Sequence, residues 1–486
     1  MKYTVHAILA VTLGLSAAAF AQSDSALKEQ VTNLKGQVDG LNESYLETKG
    51  TVDKLAKLSF GGYIQAQYQL TGNFGLRDST SPGDSIIDTT LNGGGSPTVA
   101  GGTFPGQSNQ RFQIRRARLK ATYTGAMSKS VLELDASPSS VSLKDAYVQL
   151  NEPWLKTFSL TIGNQDMPFG FEIGYSSSAM EAPERTRLEN NIFKGEKQLG
   201  AKIEANPTEQ MGFLQFLNAK AGLFTGTEGG ASGTGDEVDR GLEFIGRAGF
   251  KAPFNDLGLA IDGGVSFLYG KLQAGSDSVF TMSGDTSFIP DVGNKPKRGE
   301  WKYYERKITG VDLQVYYTIP VIGDMIGGSS LRGEYVQGTQ PGTSGSVNTY
   351  TNAGATATAN ASAGNMYIRK FSGWYLQFVQ NVGNSLQGSV RYDVYDPNTD
   401  ASDGVIRRTV AGAGGRKGLN ETDLSYKTLG FGLTYFWDAN LKFVAYYDMP
   451  MNAEEFSPAS TAKGSFKPYR EDVEDNVLTL RAQLKF

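Results

Sequence analysis

Apolar and polar residues take turns along most of this chain. In the last eleven residues, Leu478, Leu480, Ala482, Leu484 and Phe486 fall on one side, and Thr479, Arg481, Gln483 and Lys485 on the other. Successive residues of a strand point to opposite faces, so this segment is a strand with one oily and one wet side. Leu58–Leu70 repeats the design, with Phe60, Ile64, Ala66, Tyr68 and Leu70 set against Ser59, Tyr63, Gln65, Gln67 and Gln69. Similar stretches follow at Ile114–Tyr123, Val131–Ala136, Leu143–Leu150, Phe158–Asn164, Gln198–Glu204, Phe213–Phe224, Leu242–Lys251 and Leu257–Tyr269. Further ones lie at Ile308–Tyr317, Leu331–Gln337, Phe371–Val379, Leu386–Tyr395, Leu429–Phe436 and Leu441–Tyr447. With both ends counted there are about sixteen, an even number as a closed antiparallel barrel requires.

The connections sort by length. Short links at Gly125–Lys129, Asn151–Thr157, Asn206–Gln210, Asn381–Asn384 and Asp438–Asn440 alternate with long ones rich in Gly, Ser and Pro. The long ones are Thr71–Gln110, Pro168–Lys197, Lys271–Glu305, Thr339–Lys370, Pro397–Leu424 and Pro450–Asp475. A soluble sandwich has no reason to sort its loops in this way. A bacterial outer-membrane barrel does, with short periplasmic turns and long external loops. The expected fold is therefore all-β: a transmembrane antiparallel β-barrel of about 16 strands. The terminal strand pairs with Leu58–Leu70 to close it, and Phe486 resembles the C-terminal aromatic recognised in outer-membrane assembly. Thr339–Asn365 is of low complexity and reads as an external loop.

Ahead of the barrel the period changes. Leu27, Val31, Leu34, Val38, Leu41, Tyr45, Thr48, Val52 and Leu55 are spaced alternately four and three. That is a heptad pattern, predicting an α-helical coiled coil on the order of 43 Å long. Valine at a with leucine at d favours two strands, and a large oligomer can impose three. Gly36, Gly40 and Gly50 weaken the helix. A single amphipathic helix packed on a domain is the competing reading. Further upstream, Lys2, the apolar Ala7–Ala19 and Ala19-Phe20-Ala21 have the form of an export signal cleaved before Gln22, with an uncleaved anchor as the alternative. The expected division is 1–21 signal peptide, 22–56 periplasmic stalk and 57–486 barrel.

Composition narrows the chemistry. The chain has no cysteine, and its one histidine, His6, lies in the signal peptide. Without imidazole or thiol there are no Ser-His or Cys-His pairs, no such zinc sites and no disulfides, so no enzyme, metal or cofactor is expected. Outside the signal peptide no apolar run of about 18 residues exists, which excludes helical spans. A formal net charge of −4 argues against nucleic-acid binding. The expected partners are membrane lipid and small inorganic anions.

Charge patterning suggests where solutes pass. Alternation turns Arg116, Arg118 and Lys120 into the lumen, about 7 Å apart along the strand. Such a row can hand an oxyanion from one cation to the next through charge-assisted bonds. Equally, the three can pair with Glu133, Asp135 and Asp145 on the following strands, and both readings can hold. The same parity turns Arg332 with Glu334, Arg391 with Asp393, and Arg481 with Lys485 inward; Arg247 and Lys251 sit on a face of less certain register. The segment 168–197 is too apolar at Phe169, Phe171, Ile173 and Tyr175 for a free surface loop. Folded inward, it brings Glu184, Arg185 and Arg187 to a constriction; packed over the barrel mouth, it does not.

At these segments the chain resembles the phosphate-selective porin family, porins O and P. The resemblance rests on the signal peptide and heptads, Phe112-Gln-Ile-Arg-Arg-Ala-Arg-Leu119, Leu143-Lys-Asp-Ala-Tyr-Val148 and Asn164-Gln-Asp-Met-Pro-Phe-Gly-Phe-Glu172. Ser176-Ser-Ser178 with Glu184-Arg185, Leu331-Arg-Gly-Glu-Tyr335, Arg391-Tyr-Asp393 and Phe486 extend it. It implies a homotrimeric sixteen-stranded pore, a third external loop folded inward, and basic residues guiding phosphate or polyphosphate; the Arg115-Arg116-x-Arg118 stretch carries over directly. The leading expectation is an outer-membrane porin for passive diffusion of small hydrophilic solutes, with anion preference. The alternative is a structural anchor whose stalk tethers the membrane to peptidoglycan.

Overall fold

The computed structural model describes residues 30, 32–37, 39–49, 52, 55–71, 98–99, 102–103, 110–136, 140–193, 196–226, 242–274, 279–291, 293, 302–322, 325–344, 347, 366–402, 406, 419, 421–453 and 476–486. The chain divides into two compact units, Met1–Ser59 and Phe60–Phe486. In the first, residues 30, 32–37 and 39–49 are helical. Its heptad positions Leu34, Leu41 and Tyr45 are exposed. Leu27, Val31 and Val38, the predicted signal peptide and the low-complexity stretch 348–365 lie outside the described residues.

The second unit is a closed antiparallel barrel of 16 strands. In chain order these are β1 Leu58–Thr71, β2 Gln110–Thr124, β3 Ser128–Ala136, β4 Val141–Asn151, β5 Phe158–Asp166, β6 Lys197–Ala205, β7 Leu217–Phe224 and β8 Glu243–Phe254. The others are β9 Leu259–Ala274, β10 Lys302–Ile322, β11 Met325–Gly342, β12 Met366–Val382, β13 Leu386–Asp396, β14 Tyr426–Phe436, β15 Leu441–Asn452 and β16 Val477–Lys485. Each pairs with the next, and β1 pairs with both β2 and β16. The closing ladder aligns Ala66 with Ala482 and Gln67 with Arg481. Closure leaves no edge strand, so every strand's backbone has partners on both sides; only such a β structure is stable in hydrocarbon.

Burial is inverted relative to a soluble protein. On β16, Thr479, Arg481 and Gln483 are 0%, 5% and 3% exposed, while Leu480 and Leu484 are each 45% exposed. On β1, Gln65, Gln67 and Gln69 are buried and Phe60, Ile64 and Leu70 are exposed. The oily face looks outward and the wet face inward, the arrangement lipid demands. Exposed aromatics mark the end with the short turns: Trp154, Phe213 and Trp437 lie in or beside those links. Such residues sit at a membrane–water interface, where the ring is half apolar.

Two details differ from the sequence reading. The expected strand Phe213–Phe224 starts only at Leu217, because Glu209–Phe216 forms a 3-10 segment broken by Gly212 at φ 60°. A side chain rarely adopts that backbone, and glycine at this point stops the extended run. The β3–β4 ladder slips between Glu133 and Leu134. Glu133 and Asp145 stand directly opposite each other just before the slip, and Leu134 pairs with Leu143 after it.

Candidate functional site

The segment from Met167 to Glu196, between β5 and β6, packs against the barrel's inner face. Its apolar residues explain why. Phe169, Ile173, Leu188, Ile192 and Phe193 are all buried, in one cluster with Phe224, Ile245, Leu268, Ile308, Val336, Phe371 and Tyr395. Strands β7–β13 thus each turn one apolar residue inward, against the barrel's usual polarity, and together they form an oily seat for the segment. Gly310 makes room on that wall: a Cβ there would stand 3.0 Å from the Phe169 ring. Gly170 turns the chain at φ +57°, and its amide donates to Ser266 Oγ at 2.9 Å. The amides of Phe171 and Glu172 then donate to Glu334 Oε2 at 3.2 and 3.1 Å. A short helix, α1 Arg187–Ile192, follows with Thr186 as its cap.

Charges fasten a second stretch of the segment. Glu184 receives Arg115 in a two-pronged contact at 2.6 and 2.8 Å, Arg116 at 3.0 Å and Arg481 at 3.4 Å. Arg391 donates to the Glu184 carbonyl at 2.8 Å, and Arg481 to the Pro183 carbonyl at 3.0 Å. Arg332 reaches Glu181 at 3.1 Å, joined there by Gln377 and the Tyr175 hydroxyl. Lys442 donates to the Met180 carbonyl, and Gln65 and Gln483 to those of Ser177 and Ser178. Arg116, Arg332, Arg391 and Arg481 therefore converge on one stretch, residues 177–184.

The other sequence candidates are placed apart from that cluster. Arg118 bonds to Asp135 at 3.0 Å and approaches Glu133 at 3.4 Å. Lys120 lies between Glu133 and Asp145, at 3.3 and 3.4 Å, and relieves the repulsion of those opposed acids. Lys197 bonds to Asp145 at 2.7 Å and Asp166 at 2.6 Å. Cross-strand pairing with acids describes this side of the wall. Arg185 works within the segment, bonding to Glu196 at 2.6 Å and to the carbonyls of Glu172, Ile173 and Tyr175. Arg187 lies 3.9 Å from the Tyr426 ring centre. Arg247 pairs with Asp312 at 2.6 Å, while Lys251 is exposed.

Arg115 and Glu181 escape strict pattern reading. Alternation sends Arg115 outward if Arg116 points in, yet both reach Glu184, so the alternation breaks between them. The only cue in the sequence is the doubled arginine itself. Glu181 and Glu184 stand three apart in a long connection, and nothing local indicates their partners. Among the described residues no group of three or more His, Cys, Asp or Glu side chains is arranged to hold a metal ion. The same residues contain no helix long and apolar enough to cross a membrane. The interior can bind and orient charged solutes by opposed fixed charges. It has no nucleophile–base pair of the imidazole or thiol kind.

Residues 100–316 match the family model described as phosphate-selective porin O and P. No curated protein matches the chain. Among solved structures, a high-pH structure of Pseudomonas putida OprB is 12% identical, covers 90% of this chain and 96% of its own, and superposes with a TM-score of 0.52. The outer-membrane channel DcaP of Acinetobacter baumannii is 11% identical over 88% and 97% of the two chains, with a TM-score of 0.44. A trimer form of Vibrio cholerae OmpT is 12% identical over 88% and 99%, with a TM-score of 0.43. The first of these likenesses carries the fold: a closed porin-type barrel.

Proposed function

From the family match over residues 100–316 and the porin-type barrel, which together support an outer-membrane channel for passive diffusion, we propose that this channel prefers small inorganic anions of the phosphate and polyphosphate kind. The observation that supports the preference is the ratio of charges around Glu184. Arg115, Arg116 and Arg481 all reach that one carboxylate, and Arg391 lies on its carbonyl. Three guanidiniums against one carboxylate leave a positive surplus beside the path. In a narrow, partly desolvated lumen such a surplus raises the local concentration of anions. The segment 168–197 acts as the constriction, held to the wall through Glu184; Arg118 and Lys120, balanced by acids, add a transverse field. Three copies assemble side by side, and the heptads of residues 27–55 run as a coiled coil in the periplasm.

Planar-bilayer recording tests the reading. Purified channel carries chloride current, and phosphate added to one side lowers it as the oxyanion dwells among the arginines. Chloride current indifferent to phosphate rejects the oxyanion preference. No current at all rejects the channel.

A further inference from the structure

The outer wall of β9–β12 changes character at its long-loop end. On β10 the outward residues run Tyr317, Leu313 and Val311, all about half exposed, and then Lys307. On β12 they run Phe378, Leu376 and Trp374, and then Lys370. The ladder aligns Tyr269 with Lys307, Lys307 with Thr339, and Thr339 with Lys370, so these four side chains form one outward row. Lys307 and Lys370 are two strands apart, about 10 Å. Lys271, two residues beyond Tyr269 on β9, is exposed on the same face.

The strand length below the row fits a bilayer. From Thr309 to Ile319 are about eleven residues, the length a tilted strand needs to cross hydrocarbon. Lys307 then stands just beyond the apolar band, at headgroup level. The local acids leave cationic charge over. Glu305, opposite Lys271 in the ladder, accepts from the Tyr269 hydroxyl at 3.1 Å and sets its one negative charge against the three lysines. Asp400 pairs with Lys370 at 3.0 Å, whose side chain stays 64% exposed. Among the described residues no ion pair reaches Lys307 or Lys271. Ammonium groups beside an oily wall complement a molecule with phosphate at one end and acyl chains at the other.

We propose that Lys271, Lys307 and Lys370 bind the phosphate-bearing headgroup of an outer-leaflet lipid, whose acyl chains lie on the apolar wall of β9–β12. This rests on the membrane placement proposed above and is independent of what the lumen passes. The test reconstitutes the full chain in phosphatidylcholine vesicles containing a small fraction of diphosphorylated lipid A. Mild detergent extraction is followed by mass spectrometry of the retained lipid. Wild type retains lipid A at least about three-fold above its bulk fraction, and the Lys271→Gln/Lys307→Gln/Lys370→Gln variant retains it at the bulk fraction. Lys307→Gln alone gives an intermediate value, and conductance is the same in all three, showing intact pores. Enrichment equal in wild type and variants, or absent from wild type, overturns the proposal. Enrichment abolished by millimolar inorganic phosphate also overturns it, because the row would then take free phosphate. A chain that never enters vesicles fails at the membrane placement instead.

Discussion

Glu184 is the residue on which the interior turns. It is 3% exposed and holds three guanidiniums. Removing one partner of a buried charge group leaves the others unpaired, at a cost of about 3–5 kcal/mol. Glu184→Gln should therefore lower the thermal unfolding midpoint and shift the reversal potential towards anions, because three cations lose their counter-charge. A stable variant with unchanged selectivity would contradict this role. Burial by itself would raise the Glu184 carboxyl, but Arg115 and Arg116 outweigh it and hold the group below the ordinary carboxylate range. A depressed carboxylate contributes stability above its unfolded value, about 4.3, and loses it only as pH falls through the lowered value. The Glu184 carboxyl should thus stay ionised from about pH 7 to pH 5, read as an unchanged carboxylate signal in difference infrared spectra of wild type against Glu184→Gln, and its protonation in that window would show that the clamp is weaker than its geometry.

At the scale of elements, the strands were legible and their contacts were not. Alternation in β1 and β16 names the face of each residue, because the barrel's two sides differ in solvent. It fails at Arg115–Arg116 and at the slip beside Glu133, where one irregular residue resets every face after it. The partners of the arginines were hidden for another reason. Arg115 and Glu184 are 69 residues apart, and Arg481 and Glu184 are 297 apart, so no local pattern couples them. The aromatics of segment 168–197 marked it as too apolar for a free surface loop, and Phe169 and Ile173 cluster with the apolar residues Ile245, Leu268 and Ile308, which no local pattern tied to them. Phe169 is 1% exposed in that cluster. Truncating such a residue costs about 3–5 kcal/mol of packing. Phe169→Ala should loosen the segment while leaving the barrel closed, so single-channel conductance rises and open-channel noise grows. Conductance unchanged in recordings of the variant would mean that the segment does not narrow the path.

For the whole molecule, the inside-out burial and the closing β1–β16 ladder define a barrel. The proposed assembly of three barrels draws on the first unit. Heptad residues Leu34, Leu41 and Tyr45 are 58%, 71% and 61% exposed in the single chain, a cost that the proposed coiled coil would remove. Deleting residues 22–56 should leave folded, conducting barrels that dissociate to monomers at a lower temperature in mild detergent, read on heat-modified gels. Trimers of unaltered heat stability would assign assembly to the barrel walls alone. Selectivity is the central claim and is measured on wild type without any substitution. The reversal potential across a steep potassium chloride gradient should take the sign of chloride carrying the larger share of current. A potential of the opposite sign, with potassium as the preferred carrier, would contradict the arginine surplus around Glu184 as the origin of function.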